Sequence, residues 1–389
     1  MIRSLPLALA ALVLASGAAA QDNVVITTAV PFLQIEPDSR AAGMGMTGVA
    51  VADNAYAPFW NPAALAGQEG SEISFTYAPW LPSLGADLSY NYVSGKHSMG
   101  KAGTLGGHFT YFNLGEQQWT DERGTPLGEF RSFELAAGLS YGVELGAGLS
   151  VGTGGRVIYS NLTGGQGVGP DETPTQAGLS FGADVGLLYE APQIDAGGIG
   201  VTPSLGVNLA NMGPSIQYIE DGVENAIPTN LRFGTGVEVE LDEFNKVTAA
   251  LDLNKLIVDR DSTGEYAPFY EALFSSWGPR VVDTSAGAAG ASCDTRAADE
   301  DPANDCETVS ALRQLTLGAG LEYWYNDLLA LRGGYFFEDP ANGNREFLTF
   351  GAGIRYNVVG FDLSYIFALA EDSPLAEQLR FSLLLNVPR

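Results

Sequence analysis

About fourteen segments of the chain alternate apolar and polar residues with a period of two, and this pattern most constrains the fold. In the segment 133–143, Phe133 and Leu135 share one face, while Glu134 and Ser140 share the other. Neighbouring side chains of a strand point to opposite faces, so each segment predicts a strand with one apolar and one polar face. The segments are 73–79, 86–94, 103–113, 133–143, 147–160, 177–189, 201–211, 231–241, 247–254, 315–325, 328–338, 347–357, 360–369 and 379–387.

The lengths of these segments and of their connections indicate a membrane barrel. Many segments approach the roughly 9–11 residues that a tilted strand needs to cross a bilayer. Short connections such as 325–327 and 357–360 alternate with long loops at 113–130, 160–177, 211–229 and 258–312. Outer-membrane barrels have short periplasmic turns and long outside loops. The sequence therefore predicts an all-β fold, an antiparallel outer-membrane β-barrel of about 14 strands over residues 71–389; a soluble sandwich or propeller is the alternative.

Tyrosines near the strand ends on the apolar face predict two interfacial girdles. The tyrosines expected on the long-loop side are Tyr77, Tyr111, Tyr159, Tyr335 and Tyr365. Those expected on the short-turn side are Tyr92, Tyr141, Tyr189, Tyr323 and Tyr356.

The polar face carries charged residues that are expected to line the lumen, because arginine facing lipid at mid-depth costs roughly 2–4 kcal/mol. Isolated buried ions are costly, which favours a structural ion-pair network over a substrate path, although both interpretations stay open. The charged residues are Arg156, Arg232, Arg332, Arg355, Arg380, Glu134, Asp184, Glu238, Asp252, Glu322 and Asp362.

The start of the chain predicts export. Arg3 precedes an apolar stretch, and the small residues Ala18–Ala20 precede Gln21, which is the pattern of a secretory signal peptide over residues 1–20. No later stretch is apolar enough to predict a transmembrane helix. The formal net charge of −27 argues against a nucleic-acid partner, because few cations are present to neutralise phosphates.

The long loop insertion at 258–312 is acidic and contains both cysteines. Cys293 and Cys306 are candidates for a disulfide, since disulfides persist in exported proteins. The acidic residues do not have the spacing of an EF-hand, which favours a solvated loop over a calcium site; neither a metal nor a cofactor is predicted. Aromatic residues in the outside loops are candidates for partner contact, because exposed aromatic patches often mark partner sites. The alternative is that these loops pack on one another over the barrel mouth. The candidates for partner contact are Trp80, Trp119, Tyr270, Phe274 and Trp277.

The pattern G-x-S-x-G occurs three times, around Ser140, Ser150 and Ser180. In a hydrolase it marks a serine on a sharp turn from a strand into a helix, with the histidine of the triad downstream. Here the three serines lie within predicted strands, and the only histidines, His97 and His108, precede all of them. The pattern is therefore interpreted as small residues that give lumen space, and no enzyme is predicted.

Residues 21–70 precede the first strand and include an apolar stretch, 38–67, that lacks the alternation. An apolar segment without a place in the sheet must be buried, and the barrel lumen is the available site. The stretch therefore predicts a plug.

A motif in this stretch resembles the hatch of FadL-type outer-membrane proteins. It reads R-x-x-G-M-G-x-x-G-V-A from Arg40 and is followed by W-N-P-A from Trp60. The segments 74–92, 109–130 and 156–165 more narrowly resemble the PorV (LptO) family, outer-membrane components of the type IX secretion system of Bacteroidetes-like bacteria; the PorQ-like proteins are related. The hatch residues that the resemblance implies are Arg40, Gly43, Met44, Gly45, Gly48, Trp60, Asn61 and Pro62.

The resemblance also implies a function in the cell outer membrane. It implies a non-catalytic barrel that binds secreted cargo by its C-terminal signal domain and shuttles it from the translocon to the surface attachment complex. Implied partners are outer-membrane lipid, the type IX translocon, attachment-complex proteins and secreted cargo. The alternative is a FadL-like transporter of long-chain fatty acids or other hydrophobic small molecules. A transporter predicts a continuous apolar pocket from the outside loops to the plug, whereas the charged lumenal face favours the shuttle.

Overall fold

The structure is a computed structural model, and it describes most of the chain from residue 28 onward. The described residues are 28–81, 87–120, 123, 125–166, 174–220, 222–260, 265–283, 306–369, 375 and 378–387. The predicted signal peptide, 1–20, lies outside these ranges and stays a prediction.

Long strands make up most of the described chain. They are β1 (Ser71–Pro79), β2 (Ser89–Ser98), β3 (Thr104–Thr120), β4 (Pro126–Gly146), β5 (Leu149–Asn161), β6 (Gly178–Glu190), β8 (Gly200–Met212), β11 (Asn230–Glu240), β12 (Asn245–Leu256), β15 (Leu315–Tyr325), β16 (Leu329–Glu338), β17 (Glu346–Tyr356), β18 (Val359–Ala368) and β19 (Leu379–Val387). Short strands lie in the connections: β7 (Ile194–Asp195), β9 (Ile216–Gln217), β10 (Glu224–Asn225), β13 (Arg280–Asp283) and β14 (Cys306–Val309).

The fourteen long strands form a closed antiparallel barrel. Each pairs with the next long strand along the chain, and β8 pairs with both β6 and β11. The barrel closes between the first and last strands, whose register runs from Ser71 opposite Val387 to Tyr77 opposite Phe381. Closure leaves no free sheet edge. The predicted fold class and strand number are confirmed.

Side chains alternate between the lumen and the outer surface, as the period of two predicts. In β4, Glu134 and Ser140 are buried, whereas Leu139 is 76% exposed on the outside. The girdle prediction is wrong for Tyr92, which is only 1% exposed and stacks on Tyr56 at 5.9 Å between ring centroids. In β2 it is Val93 that faces outward, which places Tyr92 in the lumen.

Helices are short. The α-helices are α1 (Ser39–Ala42), α2 (Ala57–Trp60) and α3 (Phe269–Ser275), and 3-10 turns span Pro31–Gln34, Pro62–Leu65, Gly100–Ala102 and Ala311–Gln314. Within the described ranges, no helix has the length and apolar character to cross a membrane.

Three of the predicted long loops contain regular structure, and 211–229 contains the short hairpin of β9 with β10. Residues 113–130 are largely strand, because β3 and β4 extend as one hairpin in which Glu116 lies opposite Arg131. Two paired strands satisfy each other's backbone hydrogen-bonding groups even where neither face is buried. The hairpin can therefore continue through polar residues. The connection at 258–312 contains α3 and the hairpin of β13 with β14. Cys293 and the side chain of Cys306 lie outside what is described, so their disulfide stays a prediction.

Candidate functional site

Residues 28–70, here called the inner segment, lie inside the barrel. The segment is almost wholly buried over 29–50 and 54–65. It contacts strands all around the barrel. The contacts are Ser39 with Ser382, Gly45 with Thr349, Gly48 with Asp252, Asn61 with the carbonyl of Leu187, and Ala55 with Glu72. All the predicted hatch residues lie in this segment.

Arg40 joins the inner segment to the barrel wall. The Asp38 carboxylate caps α1 by accepting from the backbone N–H of Arg40 at 2.8 Å. The Arg40 guanidinium donates to Glu322 on β15, with Nη2 at 2.7 Å from Oε1, and its Nη1 donates to Asp53 at 2.8 Å. Glu322 is buried, so this is a charge-assisted contact at low dielectric.

Arg40 belongs to a longer chain of ion pairs that is buried in the middle and reaches solvent at Asp53, whose side chain is 70% exposed. Glu322 also accepts from Arg332 at 2.6 Å, and Arg332 donates to Asp362 at 2.7 Å. Asp362 accepts in turn from Arg355 at 2.6 Å. Three guanidinium groups thus meet three carboxylates, with Asp53 the third, and the set is electrically neutral. This ion-pair network is the structural interpretation that the sequence left open.

The glycines of the motif allow close approach to the wall. Gly43 packs on Gly351 of β17, whose Cα would lie 2.9 Å from a β-carbon added at Gly43. Gly45 has a φ of +65°, and an added β-carbon there would overlap the carbonyl oxygen of Ala319. Gly334 on β16 in turn leaves room for the backbone of Gly45. The fully buried Met44 lies between the two glycines of the segment.

The second half of the motif contacts strands farther around the wall, first β12, which neighbours β15, and then β6. The backbone N–H of Gly48 donates to Asp252 on β12 at 2.7 Å, and the Trp60 ring packs directly on Gly48. Asn61 donates from Nδ2 to the carbonyl of Leu187 on β6 at 2.9 Å. Its Oδ1 accepts from the backbone of the following 3-10 turn, so one side chain both caps the turn and fixes it to the wall.

The glycines of the G-x-S-x-G repeats make room for the inner segment. Gly142 and Gly152 face Pro62 so closely that an added β-carbon would overlap its backbone. Ser140 and Ser150 are buried beside them on lumenal strand positions. The prediction that these small residues give lumen space agrees with these contacts.

A cavity of about 770 Å³ lies between the inner segment and the long-loop ends of the strands. Aromatic rings form much of its wall; Phe336 and Phe347 stack at 4.8 Å, and Trp80 meets Phe112 edge-on at 5.8 Å. Its aromatic lining residues are Phe32, Phe59, Trp60, Trp80, Phe112, Phe336 and Phe347. This end of the lumen is therefore aromatic as well as charged, because Arg232 and Arg380 line the same cavity.

The sequence did contain a signal for this aromatic wall. The strand β16 carries three consecutive aromatics, Tyr335 to Phe337. Alternation requires one of them to face the lumen, and Phe336 does so. The inner segment supplies Phe32, Phe59 and Trp60, which no strand pattern reveals.

The loop 339–345 lies at the mouth of this cavity. Asp339 accepts from Arg313 at 2.7 Å, and this hydrogen bond holds the pKa of the Asp339 carboxyl below its usual value. The same carboxylate accepts from the backbone N–H of Ala341 at 3.0 Å. These contacts fix the start of the loop.

A second cavity of about 480 Å³ lies on the short-turn side of the inner segment. It is polar, and its charged lining residues are Arg40, Asp53, Glu69, Lys96, Glu144, Glu190 and Glu238. The inner segment thus separates an aromatic cavity from a polar one. Among the residues described, no cluster of histidine, cysteine and acidic side chains is arranged to hold a metal ion.

The candidates for partner contact fall into two groups. Trp80 lines the aromatic cavity and Trp119 is part of β3, so neither projects from a free loop. Tyr270 and Phe274 on α3 are 57% and 83% exposed, and the nearby Trp277 is 41% exposed. The structure brings together the last three, while their contact with a partner stays a prediction.

A family model described as type IX secretion system protein PorV matches residues 18–263, more than half of the chain. The chain belongs to the PorV family. Membership and the closed barrel support an outer-membrane location and a place in the type IX secretion system. No curated protein matches the chain.

Solved structures similar to this PorV family member include two toluene transporters and a FadL homologue. The toluene transporter TbuX of Ralstonia pickettii is 14% identical with a TM-score of 0.48, covering 91% of this chain and 98% of its own. The toluene transporter TodX of Pseudomonas putida is 13% identical with a TM-score of 0.48, covering 90% and 98%. A FadL homologue of Pseudomonas aeruginosa is 11% identical with a TM-score of 0.41, covering 90% and 98%. At these sequence identities and TM-scores, the similarity supports no statement about function. The assignment of the fold rests on the strand pairing.

Proposed function

We propose that this PorV family member is a non-catalytic barrel that binds secreted cargo by its C-terminal signal domain and passes it from the translocon to the surface attachment complex. The observation that carries the proposal is the family match over residues 18–263. Partners then include translocon subunits, attachment-complex proteins and cargo, in addition to membrane lipid.

The exposed aromatic residues around α3 support a docking role. Phe274 is 83% exposed on a helix that lies beyond the strands, outside the lipid-facing part of the barrel. Burying a large apolar side chain contributes roughly 1.5–3 kcal/mol, and exposed aromatic side chains of this kind often mark interfaces. Tyr270 and Trp277 extend the same surface.

A pull-down from the native outer membrane in a gentle detergent tests the proposal. The tagged protein is expected to recover large translocon subunits or secreted proteins that share a C-terminal domain. The variant Phe274→Ser is expected to lower that recovery at least about fivefold, the equivalent of roughly 1 kcal/mol.

The matched control is Phe244→Ser. Phe244 is also exposed but lies in the turn between β11 and β12, at the opposite end of the barrel. Equal recovery with both variants would remove the α3 surface from the proposal, and a barrel recovered without protein partners would contradict the proposal itself.

The aromatic cavity favours a second candidate, a transporter of hydrophobic small molecules. The cavity extends from Trp80 and Leu81 in the first outside connection to Phe59 and Trp60 in the inner segment. A transporter predicts an apolar pocket from the loops to the plug, and the aromatic part of this cavity supports that alternative. On this alternative the inner segment acts as the plug, and uptake of long-chain fatty acids by reconstituted protein is the test.

A further inference from the structure

We propose that the polar cavity on the short-turn side of the inner segment binds a linear polycation, a flexible chain that carries two or more ammonium groups. The inference goes beyond both candidate functions, because the α3 surface and the aromatic cavity lie at the other end of the barrel. It follows from the charges that line the polar cavity, from buried hydroxyl groups that face it and from the spread of its carboxylates.

The polar cavity has an excess of negative charge. Its carboxylates are Asp53, Glu69, Glu144, Glu190 and Glu238, and its cations are Arg40 and Lys96, which gives a balance of −3. Arg40 is already paired with Asp53 at 2.8 Å and with Glu322 at 2.7 Å. Four carboxylates therefore remain for the single ammonium group of Lys96.

Three of these four carboxylates lie within ion-pair distance of no cation in the described part of the chain. They are Glu69, Glu144 and Glu190, and all three residues are exposed at the short-turn end of the barrel. The fourth, Glu238, lies 3.8 Å from Lys246 in a partly exposed contact. A cleft lined by charges of one sign concentrates ions of the opposite sign, so this opening attracts cations.

Buried hydroxyl groups provide a second set of acceptors in the same cavity. Ser150, Ser204 and Thr248 are only 8%, 7% and 4% exposed, and each lines the cavity from a lumenal position on its strand. None of the three side chains makes a hydrogen bond with any described residue, yet their oxygens are not among the unpartnered atoms that lack accessible surface. Buried polar groups are normally satisfied, so these oxygens are available to accept from an ammonium ligand.

The spread of the carboxylates decides which kind of cation fits. Glu144, Glu190 and Glu238 lie on β4, β6 and β11, and Asp53 and Glu69 lie on the inner segment. Among the described residues, no three acidic, histidine or cysteine side chains converge to hold a metal ion. A divalent ion needs oxygen ligands at roughly 2.0–2.6 Å, whereas ammonium groups spaced along a chain can each meet a separate carboxylate. The volume of about 480 Å³ lies in the range of roughly 300–1,000 Å³ that ligand pockets occupy.

Calorimetric titration of the full-length protein in nanodiscs of zwitterionic lipid tests the inference, with empty nanodiscs as the blank. The buffer contains about 0.15 M salt, which screens exposed charges beyond roughly 8 Å. The probes are octanediamine with its neutral counterpart octanediol, pentalysine with its neutral counterpart pentaglutamine, and magnesium chloride. At least one polycation is expected to bind about tenfold or more tighter than its neutral counterpart and than magnesium. Tighter binding of octanediamine assigns a small polyamine, and tighter binding of pentalysine assigns a basic peptide segment.

The double variant Glu144→Gln with Glu190→Gln is expected to weaken binding of the polycation by about tenfold or more. The matched control is Glu116→Gln with Glu129→Gln on the extended hairpin, which removes the same charge at the other end of the barrel and leaves binding unchanged. All four glutamates are exposed, so both double variants are expected to fold.

Ser204→Ala changes no charge and is expected to weaken binding by about threefold or more, because it removes a buried acceptor of the cavity. Equal binding of each polycation and its neutral counterpart overturns the inference, as does tightest binding of magnesium. An equal loss in the two double variants overturns it as well, since binding would then follow net charge alone. The titration contains neither a secretion component nor a fatty acid, so its failure is distinct from the failure of either candidate function.

Discussion

Glu322 connects the inner segment to the barrel wall, and replacing it with glutamine is expected to destabilise the protein by about 3–5 kcal/mol. The carboxylate accepts from Arg40 at 2.7 Å and from Arg332 at 2.6 Å, and the side chain has no exposed surface. In Glu322→Gln, three guanidinium groups of the network face two carboxylates. One buried positive charge is left uncompensated, and this sets the magnitude.

A double-mutant cycle separates this reasoning from simple loss of packing. The double variant Arg40→Gln with Glu322→Gln removes one buried cation together with its buried carboxylate, so it leaves one buried positive charge fewer than Glu322→Gln alone. The double variant is therefore expected to be less destabilised than the sum of the single variants by about 1–3 kcal/mol.

The assay is denaturant unfolding of the folded barrel in detergent or lipid, followed by tryptophan fluorescence. The control is Arg131→Gln, which removes an exposed pair at 3.9 Å and is expected to cost about 0–1 kcal/mol. Additive effects of the two lumenal substitutions would refute the argument from charge balance.

Two further predictions concern the inner segment. Gly45→Ala is expected to destabilise the barrel by more than the roughly 1–2 kcal/mol that a left-handed backbone costs alanine, because the added carbon also overlaps the wall. Gly67→Ala has a similar φ of +72° but no atom within 4 Å, so the difference in unfolding free energy isolates the overlap. Asp252→Ala removes the acceptor of the Gly48 N–H and is expected to increase protease cleavage of the inner segment; cleavage at the wild-type rate would contradict this role.

The strands could be predicted because each one has a face toward lipid and a face toward the lumen. Apolar and polar residues therefore alternate along every strand that crosses the membrane. All fourteen predicted segments coincide with barrel strands to within a few residues, except where β3 and β4 extend past the expected loop boundary. That extension contains Trp119 and carries no apolar alternation, so hydropathy could not find it. Tyr92 was misassigned because tyrosine is common both at membrane interfaces and in stacks of buried rings. Its position in the alternation of β2 decides between the two and places it in the lumen.

The site was less predictable than the strands. The motif indicated which residues of the inner segment matter, but not that Arg40 would meet Glu322, 282 positions away in sequence. Such pairings depend on strand register and barrel closure, which one sequence does not reveal. The aromatic cavity was missed because part of its wall comes from the inner segment, where no strand pattern reveals which side chains face the lumen.

The contact of Ser39 with Ser382 has a consequence for assembly. These residues are separated by 343 positions, and Gly45 meets Thr349 across 304. The residues synthesised early are therefore held by strands synthesised last, and contacts of such long sequence separation form slowly. The start of the inner segment lacks these wall contacts until β15 to β19 are in place, and it has to be inside before β1 meets β19. Closure of the sheet and enclosure of the segment are therefore coupled steps of one assembly.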